Sequence, residues 1–334
     1  MGPVVLITGA SAGVGRATAR VFAERDGARI GLVARDGTRL EAAADEIRQS
    51  GGEALILPCD VADAAGVDQA ADKVERAFGA IDIWVNCAMA TMMAPVGKMT
   101  PEEFRRVTEV TYLGSVYGTM SALRRMRQRD RGVIVQVGSA LAYRSIPLQS
   151  AYCGAKHAIV GFLDSVRSEL IHDKSRVRLS VVHLPAINTP QFSWMRSRMP
   201  RRPQPVPPIF QPEVAADAIH FAAHHPRREF WVGRSSVKAI MAQKVAPGLL
   251  DSFLARTGYQ GQQTSEPASA DGPDNLFAPV EGEHAARGRF TGRAEGWSPA
   301  LEATKRRMAV ASIAGCALGV AGLLLARRAA RHRR

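Results

Sequence analysis

The sequence predicts an α/β fold in which helices cover both faces of a doubly wound parallel sheet. Its short apolar runs are mostly separated by amphipathic stretches of helix length, an alternation typical of parallel sheets. The runs lie at 4–7, 29–34, 54–58, 81–86, 132–138, 177–184 and 230–232. The second observation is a glycine-rich turn directly after the first run, followed by a helix-like stretch from Arg16 to Arg25. Together these elements need about 230 residues, enough to bury a sizeable core.

The glycine-rich turn has the context of a dinucleotide-binding site. Residues 8–15 read Thr-Gly-Ala-Ser-Ala-Gly-Val-Gly between a predicted strand and a predicted helix. Glycines there let the main chain approach a pyrophosphate, and the helix N-terminus offers it unpaired N–H groups. The spacing is Gly-x-x-x-Gly-x-Gly rather than the Gly-x-Gly-x-x-Gly of many nicotinamide dehydrogenases. The alternative is a turn that merely connects strand to helix.

Tyr152 and Lys156 are the candidate acid–base pair. Four residues apart, they lie on one face of a helix, and an ammonium close to a phenol favours the phenolate and lowers its pKa. Such a pair can exchange a proton with a carbonyl oxygen, although two such residues also commonly share a solvated helix face. Ser139 stands 13 residues before Tyr152, at the end of a predicted strand. Its hydroxyl can hydrogen-bond a substrate oxygen; an ordinary turn or cap residue is the alternative.

In order and spacing, these motifs resemble those of the short-chain dehydrogenase/reductase family over residues 3–235. The resemblance implies one Rossmann-like domain and hydride transfer between a nicotinamide and a carbonyl or alcohol carbon. It implies that Tyr152 handles the proton, that Lys156 tunes Tyr152 and holds the nicotinamide ribose, and that Ser139 orients the substrate. Thr111 stands where the family usually has an asparagine that helps to hold a proton-relaying water chain.

The resemblance also implies which residues bind the cofactor. Asp60 would hold the adenine amino group with help from Val61, and Thr189 would bond the nicotinamide carboxamide. A helix cap and a local turn bond are the alternatives for these two polar side chains. The full implied set is Thr8, Gly9, Ser11, Gly13, Val14, Gly15, Arg16, Arg35, Asp60, Val61, Asn86, Ala88, Tyr152, Lys156, Pro185 and Thr189.

The end of the second predicted strand favours NADP over NAD. An acid there would bond the adenosine ribose hydroxyls, but the sequence has Ala34 followed by Arg35. A guanidinium matches phosphate geometry, so we expect Arg35 to meet the 2′-phosphate of NADP. Asp36 could instead pair locally with Arg35 or Arg39. Arg16, after the last glycine, is either a second phosphate contact or a residue facing water.

Several positions depart from the family pattern and keep a second class of function open. Cys87 and Met89 replace the usual asparagine and glycine, Ala186 replaces a glycine, and Thr111 lacks the reach of an amide. The alternative to an oxidoreductase is therefore a membrane-tethered protein that binds or senses NADP(H) with little turnover.

A substrate lid is expected at 191–212, where apolar side chains stand among six prolines and four arginines. The apolar residues are Phe192, Trp194, Met195, Met199 and Phe210. They favour a hydrophobic carbonyl or alcohol substrate, although a lid also needs apolar residues simply to dock. Residues 235–257 are expected to form a further helical element near the substrate mouth.

The C-terminus carries most of the net positive charge. The chain has a net charge of +13, and residues 305–334 hold eight lysines and arginines and no acid. No nucleic-acid-binding signature accompanies this charge, so no nucleic-acid partner is expected. Between the basic clusters, 308–326 is an uncharged stretch of 19 residues, about 28 Å long as a helix and close to a bilayer core in thickness. The sequence therefore predicts a transmembrane helix; a helix buried against the domain is the alternative. Gly315 and Gly319 are a weak hint of helix pairing.

The predicted organisation has three parts. Residues 1–258 form the catalytic domain, 259–304 a flexible tether rich in Gly, Ser and Pro, and 305–334 the membrane anchor. Isolated apolar residues of the tether are expected to contact the domain or the membrane surface: Leu276, Phe277, Phe290 and Trp297. The domain is expected to face the cytoplasm, where the cofactor is supplied, and the family's frequent dimers and tetramers imply a homo-oligomer. The four cysteines lack metal-binding spacing and are expected to be free thiols, with no metal site.

Overall fold

The computed structural model describes residues 2–269, 272, 274–282 and 285–306. Its centre is a seven-stranded parallel sheet with the strand order β3-β2-β1-β4-β5-β6-β7. The strands are β1 (Val4–Thr8), β2 (Arg29–Ala34), β3 (Glu53–Pro58), β4 (Ile83–Asn86), β5 (Val133–Ser139), β6 (Arg178–Leu184) and β7 (Glu229–Trp231). All seven predicted strands are confirmed, with ends shifted by at most two residues.

Helices cover both faces of the sheet, as a doubly wound fold requires. They are α1 (Gly13–Asp26), α2 (Gly37–Gln49), α3 (Ala64–Phe78), α4 (Pro101–Thr108), α5 (Gly114–Gln128), α6 (Ser150–His172), α7 (Pro212–His224), α8 (Arg234–Val245), α9 (Pro247–Gly261) and α10 (Pro299–Lys305). One hydrophobic cluster joins the sheet to α1, α2 and α7, and a second joins it to α3, α4, α5 and α6. A π-helical turn, Glu109–Leu113, connects α4 to α5.

Short elements surround the carboxyl edge of the sheet, where β1 ends at Thr8 and β5 at Ser139. The lid segment contains a helical turn and short strands that pair with other parts of the chain. These elements are Gln191–Trp194, Met92–Met93 with Arg196–Ser197, Arg201–Pro203 with Gln263–Pro267, and Ile209–Phe210 between Ala186–Ile187 and Ala294–Glu295. The helical element expected at 235–257 is confirmed and consists of α8 and α9.

The described parts of the predicted tether pack on the catalytic domain, which differs from the flexible linker expected. Leu276 and Phe290 are buried, whereas Phe277 and Trp297 are largely exposed. Two strands and α10 also come from this region. A segment poor in apolar residues can still dock when its few apolar side chains meet a preformed apolar surface, because each fully buried leucine or phenylalanine contributes about 1.5–3 kcal/mol.

No helix within the described residues is both long enough and apolar enough to cross a membrane. The predicted transmembrane helix at 308–326 lies outside these residues.

Candidate active site

The glycine turn is shaped by close approach of the main chain. Gly9 has a φ of +71°, and a Cβ there would lie 2.8 Å from the Cα of Ala88. A Cβ on Gly15 would lie 2.2 Å from the carbonyl oxygen of Gly9. The hydroxyl of Thr8 accepts hydrogen bonds from the main-chain N–H groups of Cys87, at 3.0 Å, and Ala88, at 3.2 Å. The Thr8 hydroxyl thus fixes the start of the glycine turn against the end of β4.

The N-terminus of α1 opens on a large cavity. Ser11, Gly13, Val14 and Gly15 line this cavity, and the N-cap residue Ala12 has no side-chain oxygen to cap the helix. The N–H of Gly13 donates to the carbonyl oxygen of Ala285, at 3.4 Å, and the positive end of the helix dipole faces the cavity and would favour an anionic ligand. The cavity has a volume of about 700 Å³ and runs along the carboxyl edge of the sheet. That volume is in the range of small-molecule and cofactor sites.

Ser139, Tyr152 and Lys156 meet at the same cavity. Ser139 ends β5, and the other two side chains come from α6, one turn apart. The Lys156 ammonium donates a hydrogen bond to the carbonyl oxygen of Val137, at 2.8 Å, and lies 5.5 Å from the centre of the Tyr152 ring. The Ser139 hydroxyl accepts from the N–H of Leu141, at 3.1 Å, and its interaction with the Tyr152 phenol favours a lower pKa of that phenol. Hydroxyl, phenol and ammonium therefore converge on one point of the cavity wall.

Burial sets the protonation of this group. It raises the pKa of Tyr152 well above its usual value, although the interaction with Ser139 acts in the opposite direction. Burial also lowers the pKa of Lys156 to about 8. The expectation that Lys156 lowers the pKa of Tyr152 is not met in this structure, because burial of the phenol is the largest influence on that pKa and raises it. At neutral pH Tyr152 is therefore protonated and able to donate.

Thr111 lies in the π-helical turn and is fully buried. Its hydroxyl donates to the carbonyl oxygen of Ala90, at 2.8 Å, and accepts from the N–H of the same residue, at 3.0 Å. Both hydrogen bonds thus tie the turn to the segment that follows β4. No direct hydrogen bond joins Thr111 to Lys156 among the described residues.

Two predicted cofactor residues point elsewhere. Arg16 forms a bidentate ion pair with Glu46, at 2.9 and 3.2 Å, and does not line the cavity. Asn86 is buried, accepts a hydrogen bond from the indole of Trp84, at 2.9 Å, and donates to Thr119, at 3.0 Å. The side chain of Asn86 therefore holds β4 to α5 rather than reaching the cavity.

Thr8 does not line the cavity either, whereas the remaining predicted residues lie along its wall. Arg35, Asp60 and Val61 line one end, and Ala88, Pro185 and Thr189 line the part nearer Tyr152. One carboxylate oxygen of Asp60 accepts from the N–H of Ala62, at 3.0 Å, and the other pairs with Arg106. Asp60 therefore has the local bonds of a turn and also faces the cavity.

Part of the cavity wall is apolar, although the lid and α9 also contribute polar side chains such as Gln204 and Thr257. Side chains from the lid and from α9 line this apolar part together with residues that follow β5: Leu141, Ile146, Phe192, Met195, Phe253 and Leu254. Of the apolar lid residues, Phe210 instead joins the main core, and Met199 packs with Met93 and Leu148. The lid therefore uses its apolar residues both to dock and to line the site.

Residues 3–199 match the family model described as short chain dehydrogenase. The chain belongs to this family. It is 32% identical over 323 residues to the uncharacterized oxidoreductase YxnA of Bacillus subtilis, covering 96% of this chain and 88% of that one. It is 30% identical over 230 residues to a fatty acyl-CoA reductase of Acinetobacter baylyi, covering 68% and 75%. The solved alcohol dehydrogenase of Thermococcus sibiricus, complexed with 5-hydroxy-NADP, superimposes with a TM-score of 0.59 at 27% identity, covering 69% and 94%.

The short-chain dehydrogenase assignment makes the protein an oxidoreductase of the type that acts on CH–OH and C=O groups with a nicotinamide cofactor. The residues present fit such a cofactor, because Gly9, Gly13 and Gly15 line the cavity without side chains and the N-terminus of α1 opens on it. Arg35 at the end of β2 adds a cation at the same cavity.

Sequence reasoning did not single out the residues that surround Arg35. Arg39 also lines the cavity, and Arg106 pairs with Asp60 from α4. Residues 275–277 cover this end with main-chain carbonyl groups that accept hydrogen bonds from Arg35 and Arg106. Arg39 and Arg106 were visible in the sequence, but nothing there linked either of them to a segment about 170 or more residues away.

Proposed function

We propose that this short-chain dehydrogenase is an NADPH-dependent reductase of apolar aldehydes or ketones. The observation that carries the proposal is the convergence of Ser139, protonated Tyr152 and Lys156 on a cavity with a partly apolar wall. When bound, the reduced nicotinamide would supply the hydride. The protein's own residues would supply binding, orientation and the proton.

The proton chemistry follows from burial. Tyr152 holds its proton at neutral pH, so its hydroxyl can donate it to the carbonyl oxygen of a substrate as negative charge develops there. The Ser139 hydroxyl can donate a hydrogen bond to the same oxygen. Lys156 has a pKa of about 8, so it is mostly charged at neutral pH and favours the phenolate left behind. These roles suit reduction better than oxidation, which would need Tyr152 as a phenolate at the start.

The preference for NADPH is supported by Arg35. The acid that would bond ribose hydroxyls is replaced by Ala34, and the guanidinium of Arg35 lines the same end of the cavity. A bidentate cation suits a 2′-phosphate better than two hydroxyl groups. The alcohol dehydrogenase of similar fold that was solved with 5-hydroxy-NADP agrees with this choice.

The apolar substrate is supported by the apolar part of the cavity wall. The side chains of Phe192, Met195 and Phe253 offer no charge to bind a polar group, so an extended aliphatic chain gains most from burial there. The name of the similar fatty acyl-CoA reductase points to the same chemical class.

The test is the loss of NADPH absorbance with straight-chain aldehydes of increasing length, in detergent. We expect kcat/KM to rise with chain length, to be higher with NADPH than with NADH, and to fall about a hundredfold or more in Tyr152→Phe. Tyr117→Phe is the matched control, since Tyr117 lies on α5 and does not line the cavity. Equal turnover by wild type and Tyr152→Phe would reject Tyr152 as the acid.

The second candidate is a protein that binds or senses NADP(H) with little turnover. The observation that favours it is the Thr111 hydroxyl, whose two hydrogen bonds go to Ala90 rather than toward Lys156. Tight NADPH binding together with absence of turnover by the wild type across aldehydes and ketones would support this candidate over the reductase.

We also propose that residues 308–326 anchor the protein in a membrane, with the catalytic domain on the cytoplasmic side, and that it forms a homo-oligomer. The support is the uncharged 19-residue stretch between basic clusters, whose length matches a bilayer core. Membrane fractionation of the full chain beside a chain ending at residue 306 tests the anchor. Recovery of both in the soluble fraction would reject it, and light scattering of the shorter chain would report the oligomeric state.

A further inference from the structure

Two arginines and an overlying segment form a structure that the family motif does not account for. Arg35 follows β2 and Arg39 lies in the first turn of α2, and both line the cavity. The overlying segment, residues 274–282, is called the strap below. Asp36 pairs with Arg39, at 2.8 Å, so one of the two guanidinium charges at the cavity is not matched by this carboxylate.

The strap contacts the arginines through main-chain carbonyl groups. Arg35 donates to the carbonyl oxygens of Asn275, at 2.6 Å, and Phe277, at 2.9 Å. Arg39 donates to the carbonyl oxygen of Val280, and its guanidinium lies 5.2 Å from the centre of the Trp194 ring. The strap thus orients both guanidinium groups, but carbonyl oxygens cannot neutralise them.

The catalytic domain holds the strap at Asp274, its first residue, and at Leu276. Asp274 accepts two hydrogen bonds from Arg196, at 2.8 and 3.0 Å. Leu276 is fully buried in the same hydrophobic cluster as Val61. The Leu276 carbonyl oxygen accepts from Arg106, at 3.0 Å, and Arg106 also pairs with Asp60. Arg106 does not line the cavity, so it is a positioning residue that links the strap to the wall behind Asp60.

Donors remain on both cavity-lining arginines. A guanidinium has five N–H donors, and among the described residues the Nε of Arg35 and the Nη1 of Arg39 have no hydrogen-bond acceptor. Burial lowers the pKa of Arg35, and the nearby charges of Arg106 and Arg39 act in the same direction while that of Asp60 opposes them. A phosphomonoester dianion supplies the missing charge and several acceptor oxygens.

We propose that Arg35 and Arg39, oriented by the strap, form a two-guanidinium subsite for the 2′-phosphate of the cofactor, and that phosphate binding and strap docking reinforce each other. This inference rests on the proposed NADPH preference. It adds Arg39 as a second residue that binds the phosphate, and the strap as a distant segment that orients both arginines. A phosphate on the two guanidinium groups fixes them, and the fixed groups in turn hold the carbonyl groups of Asn275, Phe277 and Val280.

The test uses the full chain in detergent and two nucleotides without a nicotinamide, 2′,5′-ADP and 5′-ADP. Hydrogen exchange of peptides covering the strap is measured with each nucleotide at saturation. We expect 2′,5′-ADP to slow strap exchange at least about tenfold more than 5′-ADP does. Unchanged exchange, or faster exchange that indicates displacement of the strap, would overturn the proposal. This measurement uses unmodified protein and so does not depend on the folding of a variant.

Calorimetric titration of variants provides the second readout. We expect the ratio of 2′,5′-ADP to 5′-ADP affinity to fall about 10- to 100-fold in Arg39→Gln, as expected for loss of a charge-assisted hydrogen bond. Leu276→Ser should lower the same ratio by loosening the strap. Arg48→Gln, on the exposed end of α2, is the matched control. An unchanged ratio in Arg39→Gln would overturn the proposal.

The outcomes separate this inference from the function on which it rests. Equal affinity of the wild type for the two nucleotides would reject the NADPH preference and the subsite together. A wild-type preference for 2′,5′-ADP that is lost in Arg35→Gln but kept in both Arg39→Gln and Leu276→Ser would leave the proposed function intact and reject the strap subsite alone.

Discussion

Lys156 is a buried charge, and its replacement by methionine is predicted to stabilise the cofactor-free protein. The residue is 4% exposed, and burial lowers its pKa from 10.5 to about 8. At neutral pH the folded protein must therefore hold a proton that the unfolded chain binds more tightly. The difference in pKa corresponds to a destabilisation of ~3 kcal/mol. Lys156→Met removes this term and loses the hydrogen bond to Val137, ~1–2 kcal/mol, so a net gain of ~1–2 kcal/mol in unfolding free energy is expected.

The pH dependence of the stability difference between Lys156→Met and wild type tests whether the buried charge is its cause. The destabilisation is fully present below the folded-state pKa of about 8, fades as pH rises toward the unfolded-state value, and is absent above it. The advantage of Lys156→Met over wild type should therefore shrink steadily between pH 8 and about 10. Tyr152 and Cys87 also titrate in alkaline solution, but they are present in both proteins, and their contributions largely cancel in the difference.

The assay is urea unfolding of both proteins without cofactor at a series of pH values. A stability difference that does not change with pH, or one that grows in favour of Lys156→Met as pH rises, would show that the buried charge of Lys156 is not the cause of the destabilisation. The stabilised variant should also lose reductase activity, since Lys156 is proposed to act at the site. Gain of stability with loss of activity would mark Lys156 as a residue kept for function.

Three further predictions follow from single contacts. Gly15→Ala should destabilise the protein by about 2 kcal/mol or more and weaken nucleotide binding, because the Cβ has no room; Gly161→Ala, on the open face of α6, should be neutral or slightly stabilising in the same melts. Thr111→Val should lower unfolding free energy by ~2–4 kcal/mol in urea titrations, because both main-chain groups of Ala90 lose their partner. Asn188→Ala should speed proteolytic cleavage within 285–293, since the Asn188 side chain bonds Phe290 and Thr291; an unchanged cleavage rate would contradict that role.

Most of the sheet could be predicted from the sequence because its signal is local. Each strand is a short apolar run bounded by a turn, and the glycine turn after β1 marks the edge at which ligands bind. The placement of Ser139 and Tyr152 at one cavity follows from the same logic, since a strand end and the first turn of the next long helix meet at that edge. Their protonation could not be predicted, because it depends on burial by residues from other parts of the chain.

The C-terminal region shows where sequence reasoning fails. Its polar, glycine-rich composition indicated a tether; Leu276 and Phe290 are buried, as expected of residues that contact the domain, but the composition gave no sign of the strands and the helix that form there. The directions of the Arg16 and Asn86 side chains could not be predicted either, since each is decided by a partner distant in sequence, Glu46 for Arg16 and Thr119 for Asn86. When a side chain can bond either to a neighbour in sequence or to a distant residue, its position in the sequence alone does not decide between the two partners.

We propose that this short-chain dehydrogenase transfers a hydride from NADPH to an apolar carbonyl compound with Tyr152 as the acid. The most direct measurement is mass spectrometry of the alcohols formed from a mixture of apolar aldehydes and ketones with NADPH deuterated at the transferring position. Wild type and Tyr117→Phe are predicted to give alcohol carrying one deuterium on the former carbonyl carbon, and Tyr152→Phe to give none above background. Deuterated alcohol from Tyr152→Phe at the wild-type rate, or none from a wild type that binds NADPH, would contradict the account.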